Sequence, residues 1–205
     1  MREVLRHGQT QGRVALADVV GPQSVAVGAL AGLAGEITVD GGTVHLAEVV
    51  DPTSPDGLRV RDSVTDEEAT LLVLAEVAAW SVHALPDVDD LTALERVVRS
   101  TADAAGIDVN KPFPFRLEGR TRTLRLHVLH RSCPIARPNG PPPWTLDATD
   151  TPAVLIGFYA DGSAGTLTHH GRRSHIHALV PGLDVSGHLD AASLLSGTRL
   201  YLPSF

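Results

Sequence analysis

The histidines of "SHIHALVPGLDVSGH", residues 174–188, are spaced as ligands of a metal ion would be. His175 and His177 stand one residue apart, and side chains two positions apart on a strand share a face. His188 follows eleven residues after His177. If Pro181-Gly182-Leu183-Asp184 turns a hairpin, with Gly182 at the first central position of a type II′ turn, His177 falls opposite His188 and His175 opposite Asp190. Cross-strand Cβ atoms lie roughly 4.5–5.5 Å apart, so the three imidazoles can meet on one ion. A three-histidine set with open positions suits a catalytic Zn2+ or another divalent transition metal. Asp190 would then accept from a ring N–H and fix a tautomer. His-x-His alone is more often a pair of unliganded strand histidines; the third histidine in register favours the metal. His169 and His170, beside Arg172 and Arg173, read as loop residues, and His7, His45, His83 and His130 are scattered.

The elements that must position this cluster are mostly strands. "EITVDGGTVHLAEVV" places β-branched residues on both sides of Asp40-Gly41-Gly42, a strong hairpin signal. "TDEEATLLVLAEVAAWSVHAL" is ambiguous: Thr65 with Glu68 resembles a capping box, but its apolar runs could equally be two buried strands. "DDLTALERVVRSTADAAG" predicts a helix near 90–105, capped by Asp89 or Asp90, striped by Leu91, Leu94, Val97 and Val98, and ended by Gly106. Residues 113–131 alternate as a strand does. The organisation expected is an N-terminal half, 1–132, a proline-rich linker, 133–150, and a C-terminal β half, 151–205, that carries the histidines.

Composition excludes several classes of function. The 205 residues are 43% hydrophobic, which supports a sizeable globular core. A net charge of −7 argues against a nucleic-acid or anionic-membrane partner. Cys133 is the single cysteine, so no intrachain disulfide forms. The opening lacks the apolar core of a signal peptide, and Val25–Ala34 is too short and glycine-rich to span a bilayer, which makes the cytoplasm the expected location.

A jelly-roll cupin also carries His-x-His on a strand, but its usual following glutamate is absent from "ALVPG". The chain resembles instead the acetolactate decarboxylases. "VGALAGLAGEITVDGGTVHL" is similar to that family's Gly-x-x-x-x-Leu-x-Gly-Glu-x-x-x-Asp-Gly segment, with Glu36 at its acid. "PFRLEGRTRTLRLHVL" resembles its [I/L]-[E/D]-G strand. "GFYADGSAGTLTHHGRRSHIHALVPGLDVSGHLD" resembles its metal-binding end, and "VLRHGQTQG" its opening helix and glycine loop. The resemblance runs along nearly the whole chain. It implies a mixed α/β protein (α+β, mixed sheets), β-rich, with two intertwined halves and few helices, and it favours strands over 70–85. It further implies a zinc-like ion on His175, His177 and His188 that acts as Lewis acid on a 2-hydroxy-3-oxo acid, with Glu36 beside the ion as proton carrier or water-bridged ligand. A homodimer formed through a sheet edge rests on the family analogy alone.

The departures from the family pattern bear on the substrate. The family's threonine seven residues before the glutamate is Ala29 here, and its central-strand arginine falls on His127 in a gapless match. Its late glutamate has no counterpart, Phe205 standing seventeen residues after His188. Arg125 shares a strand face with His127 and could clamp a carboxylate bidentately if the strand enters deeper, whereas His127 could serve as acid or base. The expectation is a metal-dependent lyase or isomerase diverged from acetolactate, acting on a small keto acid or hydroxyketone. A true acetolactate decarboxylase and a non-catalytic metal- or ligand-binding relative are the alternatives. The Ala/Val/Gly/Arg/Asp bias points to a GC-rich genome and a specialised-metabolism setting.

Overall fold

In the computed structural model, residues 4, 7–62, 66–132, 140, 142–163, 166–168 and 171–204 are described. The opening helix, Thr65, Cys133, His169 and His170, each singled out above, lie largely or wholly outside them. Two six-stranded sheets make the fold. The first contains β1 (Val14–Ala15), β2 (Ser24–Leu30), β3 (Gly35–Asp40), β4 (Thr43–Val49), β5 (Leu58–Arg61) and β6 (Glu68–Glu76), in the order β1-β6-β2-β3-β4-β5. The second contains β7 (Trp80–Ala84), β8 (Phe113–Val128), β9 (Trp144–Tyr159), β10 (Ser174–Val180), β11 (Val185–Leu194) and β12 (Arg199–Pro203), in the order β11-β10-β9-β8-β12-β7. Helices are few among the described residues: a single turn α1 (Leu16–Val19) and the long α2 (Leu91–Ala104). The β-rich architecture with few helices is the one expected, although every strand pair among the described residues is antiparallel and neither sheet is mixed. None of the described helices is long and apolar enough to cross a membrane.

The sheets divide the chain near residues 77–79, not at the linker expected over 133–150. Residues 144–150 belong instead to β9, which pairs with β8 from Phe113↔Tyr159 to Val128↔Trp144 without a register shift. The prolines before Trp144 suggested a break, but the threonines and alternating polar residues of "WTLDATDTP" satisfy an extended ladder. The ambiguous stretch resolves into β6 and β7, both strands.

Local chemistry explains the turns that matter. Gly41 and Gly42 both take positive φ (56° and 79°) between Asp40 and Thr43, as a type I′ turn demands. On α2 the Asp90 side chain accepts from the Ala93 amide at 2.7 Å, and Leu91, Leu94, Val98 and Ala102 enter the main core against Phe113, Leu117 and Leu126. Each of the buried Leu91, Leu94 and Val98 side chains contributes roughly 1.5–3 kcal/mol.

β11 pairs with β10 on one side and with the C-terminal half of β8 on the other, so β8, β9, β10 and β11 close a ring. The ring turns Ile176, Ala178, Val180 and Leu189 into the core. Gly187 allows the close approach of β11 to β8, since a Cβ there would lie 2.6 Å from the His127 carbonyl oxygen. β3 divides its side chains by alternation: Ile37 and Val39 join the first sheet's own core, while Glu36, Thr38 and Asp40 contact residues of the second sheet. Arg116 on β8 donates from Nε to both Asp40 oxygens, at 3.0 and 3.1 Å.

The start of β10 is held by a buried carboxylate. Oε1 of Glu95, on α2, accepts from the Arg173 amide (2.9 Å), the Ser174 amide (3.0 Å) and the Ser174 hydroxyl (2.7 Å). All three bonds end on one oxygen, which glutamine also offers. Glu95→Gln is therefore expected to leave urea-unfolding stability close to wild type. Glu95→Leu is expected to lose at least the roughly 1–3 kcal/mol of one unpaired buried donor. Equal losses in both variants would show that the Oε1 contacts do not anchor the strand.

Candidate metal centre

The hairpin of β10 and β11 has the register expected, with His177 opposite His188 and Val180 opposite Val185. Its turn is not type II′. Pro181–Leu183 forms a single 3₁₀ turn and Asp184, not Gly182, takes the left-handed conformation (φ 52°, ψ 47°). Aspartate tolerates that region because its short side chain can bond locally. The loop still spans four residues, which keeps the same side chains opposed.

His175, His177 and His188 come together: each offers a ring nitrogen, and these nitrogens lie within 4.8 Å of one another. Their ring centroids are 5.1–5.5 Å apart. His175 and His177 are 6% and 0% exposed, and His188 lies at the partly open side. Three imidazoles in a buried cluster beside a carboxylate form a donor set that fits a divalent transition metal such as Zn2+.

Glu36 enters from the first sheet, its Oε2 3.7 Å from Nε2 of His177. Its other oxygen accepts from the Leu129 amide at 3.3 Å. The cross-strand neighbours of Glu36 are Ala29 and Ala47, both buried, and Glu36 is itself buried between them. Burial pushes Glu36 up to about 7, with Asp190 adding to the rise and His127 and the Leu129 amide opposing it.

His127 is the direct partner of His188 across β8 and β11, with ring centroids 4.9 Å apart. The placement of Asp190 differs from the sequence expectation. The β10–β11 ladder ends at His177↔His188, and β11 bulges between Leu189 and Ala191, so Asp190 does not face His175. The bulge re-aims its carboxylate onto His127 Nδ1, at 2.8 Å. Burial works to lower the pKa of His127, but the Asp190 bond and the nearby Glu36 and Asp190 charges outweigh it, and the net shift is upward.

Arg125 is not brought to the cluster. It sits opposite Asp147 across β8 and β9, exposed, with Nε and Nη2 donating to the two carboxylate oxygens at 2.7 and 2.8 Å. The strand does not enter the pair deeper that an arginine clamp would need.

Sequence reasoning missed Thr38 and Ser186. Thr38 Oγ1 lies 3.0 Å from His177 Nδ1 and 2.9 Å from Ser186 Oγ, and all three residues are fully buried. The signal was the period of two: Thr38 is two residues from Glu36 and Ser186 two from His188.

No family model and no curated protein matches the chain in sequence. In structure, it has the fold of the α-acetolactate decarboxylases. It superimposes on a Staphylococcus aureus protein of unknown function, described as similar to α-acetolactate decarboxylase, with a TM-score of 0.73 at 11% identity over 96% of this chain and 80% of that one. The α-acetolactate decarboxylase of Bacillus subtilis strain 168 gives a TM-score of 0.70 at 14% identity, over 96% of this chain and 80% of the enzyme. That of Bacillus subtilis subspecies spizizenii gives 0.70 at 14%, over 96% and 81%. At such identities the shared property is the fold.

The raised pKa of Glu36 sets a pH dependence for the metal-free protein. Between about 4.5 and about 7 the folded chain holds a proton that the unfolded chain has released, so stability falls as pH rises through that window and is flat above it. The difference in unfolding free energy between wild type and Glu36→Gln should change by roughly 3 kcal/mol between pH 4.5 and pH 7.5 in chelator-treated protein. Urea titrations at both values measure it; parallel pH profiles would contradict the burial argument.

Proposed function

We propose that the protein is a metal-dependent lyase or isomerase of the acetolactate-decarboxylase type, with His175, His177 and His188 holding one Zn2+ or a similar divalent ion. The observation that carries this reading is the buried three-histidine cluster, with a carboxyl 3.7 Å from His177, on an acetolactate-decarboxylase fold. When bound, such an ion supplies Lewis acidity to the oxygens of a small oxygenated carbonyl compound. The chain's own groups do the rest. Glu36, poised near neutrality by its dry surroundings, takes or gives a proton at the reacting carbon. His127, with Nδ1 bonded to Asp190 and its ring centroid 4.9 Å from that of His188, acts as second proton carrier.

The substrate class is a small β-keto or 2-hydroxy-3-oxo acid or the related hydroxyketone, and the reaction is decarboxylation, ketol isomerisation or related carbon–carbon chemistry. Ala29 and His127 stand where the family resemblance puts a threonine and an arginine, which supports divergence from acetolactate. Retention of the ancestral reaction, giving acetoin and CO2, and loss of turnover with retained binding are the competing outcomes.

Purified wild-type protein is expected to carry about one divalent metal per chain, and His177→Ala to carry none. The zinc-loaded enzyme should catalyse solvent deuterium incorporation into, or CO2 release from, a member of this substrate class, and Glu36→Gln should slow it by roughly 10²–10⁴-fold. No stoichiometric metal in the wild type would overturn the metal centre. Bound but unchanged substrate across a broad screen would support a non-catalytic relative instead.

A further inference from the structure

We propose that Thr38 is a positioning residue for the metal centre: it accepts the Nδ1 hydrogen of His177, passes its own hydroxyl hydrogen to Ser186, and so leaves Nε2 of His177 as the lone pair facing the cluster. The inference rests on the metal reading of the three histidines. It starts from the 3.0 Å contact between His177 Nδ1 and Thr38 Oγ1. An imidazole whose Nδ1 is engaged by a side chain from the other sheet has only Nε2 to offer an ion, and Nε2 is the nitrogen 3.7 Å from Glu36. For Nε2 to ligate, Nδ1 must carry the ring hydrogen, so Thr38 must act as acceptor.

A threonine oxygen is free to accept when its own hydrogen has somewhere else to go. Ser186 Oγ lies 2.9 Å from Thr38 Oγ1 and can accept that hydrogen, which permits a chain running from ring to Thr38 to Ser186. The three groups are 0% exposed, so water cannot substitute for any of these bonds. Burying a hydroxyl without a partner is costly, and valine would fill the same space at a site flanked in sequence by Ile37 and Val39. The hydroxyl is thus explained by the bond it makes. The two sheets are joined at this point, since Thr38 comes from β3 while His177 and Ser186 come from the two arms of the hairpin.

The test uses the full chain with Thr38→Val, which keeps shape and removes the hydroxyl, and Thr38→Ser, which keeps the hydroxyl. Zinc affinity is measured by competition with a chromophoric chelator at fixed pH, and the ring tautomer of His177 by 15N-imidazole spectra of the metal-free protein. Thr38→Val should weaken zinc roughly 10–100-fold, and Thr38→Ser should restore wild-type affinity. The spectra should show Nδ1–H at His177 in wild type and its loss in Thr38→Val. Unchanged zinc affinity in Thr38→Val, or no recovery in Thr38→Ser, would overturn the proposal. If the wild type takes up no zinc, the metal reading fails by itself. The metal-free spectra then still decide the role of Thr38: an Nε2–H His177 in wild type, or a tautomer indifferent to the valine, rejects it.

Discussion

The pairing of His177 with His188 across the β10–β11 hairpin is the constraint on which the candidate site depends. A slip of one residue would send every side chain of β11 to the other face, burying His188 in the core and exposing Leu189. Two features hold the register. The loop allows four residues between Val180 and Val185, closed by the left-handed Asp184. Beyond His188, β11 leaves β10 and joins β8, with Gly187 permitting the close approach. The apolar residues of β10 and β11 fill the core of the ring, and the same alternation drives the histidines to the opposite side. Hydrophobic burial thus positions the polar cluster.

The cluster lies where the two sheets meet, and β3 supplies the other half of its surroundings. Glu36, Thr38 and Asp40 recur at intervals of two and engage His177, the His177–Ser186 pair and Arg116 in turn. Dry packing raises the Glu36 carboxyl, while His127 is raised because its hydrogen bond to Asp190 and the Glu36 and Asp190 charges outweigh its own burial. Two titratable groups, both shifted upward, thus stand beside the three histidines proposed to hold the ion. The same environment that makes Glu36 useful makes it costly to ionise without an ion nearby.

Much of this was legible in the residues themselves. His177 could be placed opposite His188, with His175 on the same face, by counting from a turn, and Glu36 by the resemblance of its segment. The glycine hairpin at Gly41-Gly42 and the α2 helix with its Asp90 cap follow from local chemistry. What failed was what depends on tertiary pairing. The bulge that carries Asp190 to His127 arises because β11 changes partners, and a strand's second neighbour is not written in its own pattern. The strand pattern left Arg125 and His127 open because it does not show β9, which offers Asp147 directly opposite the arginine. The proline-rich run looked like a domain linker, yet the strand after it continues the same sheet, because the ladder with β8 extends along its full length.

The proposed metal centre stands on three imidazoles from one hairpin sharing one ion. X-ray absorption of the zinc-loaded protein reads that most directly. The expected spectrum has a first coordination shell of light atoms with three imidazoles at about 2.0–2.1 Å, identifiable by their outer-ring scattering, and the imidazole count falls by one in His188→Ala. A shell built of oxygen alone, or an imidazole count unchanged by that substitution, would contradict it.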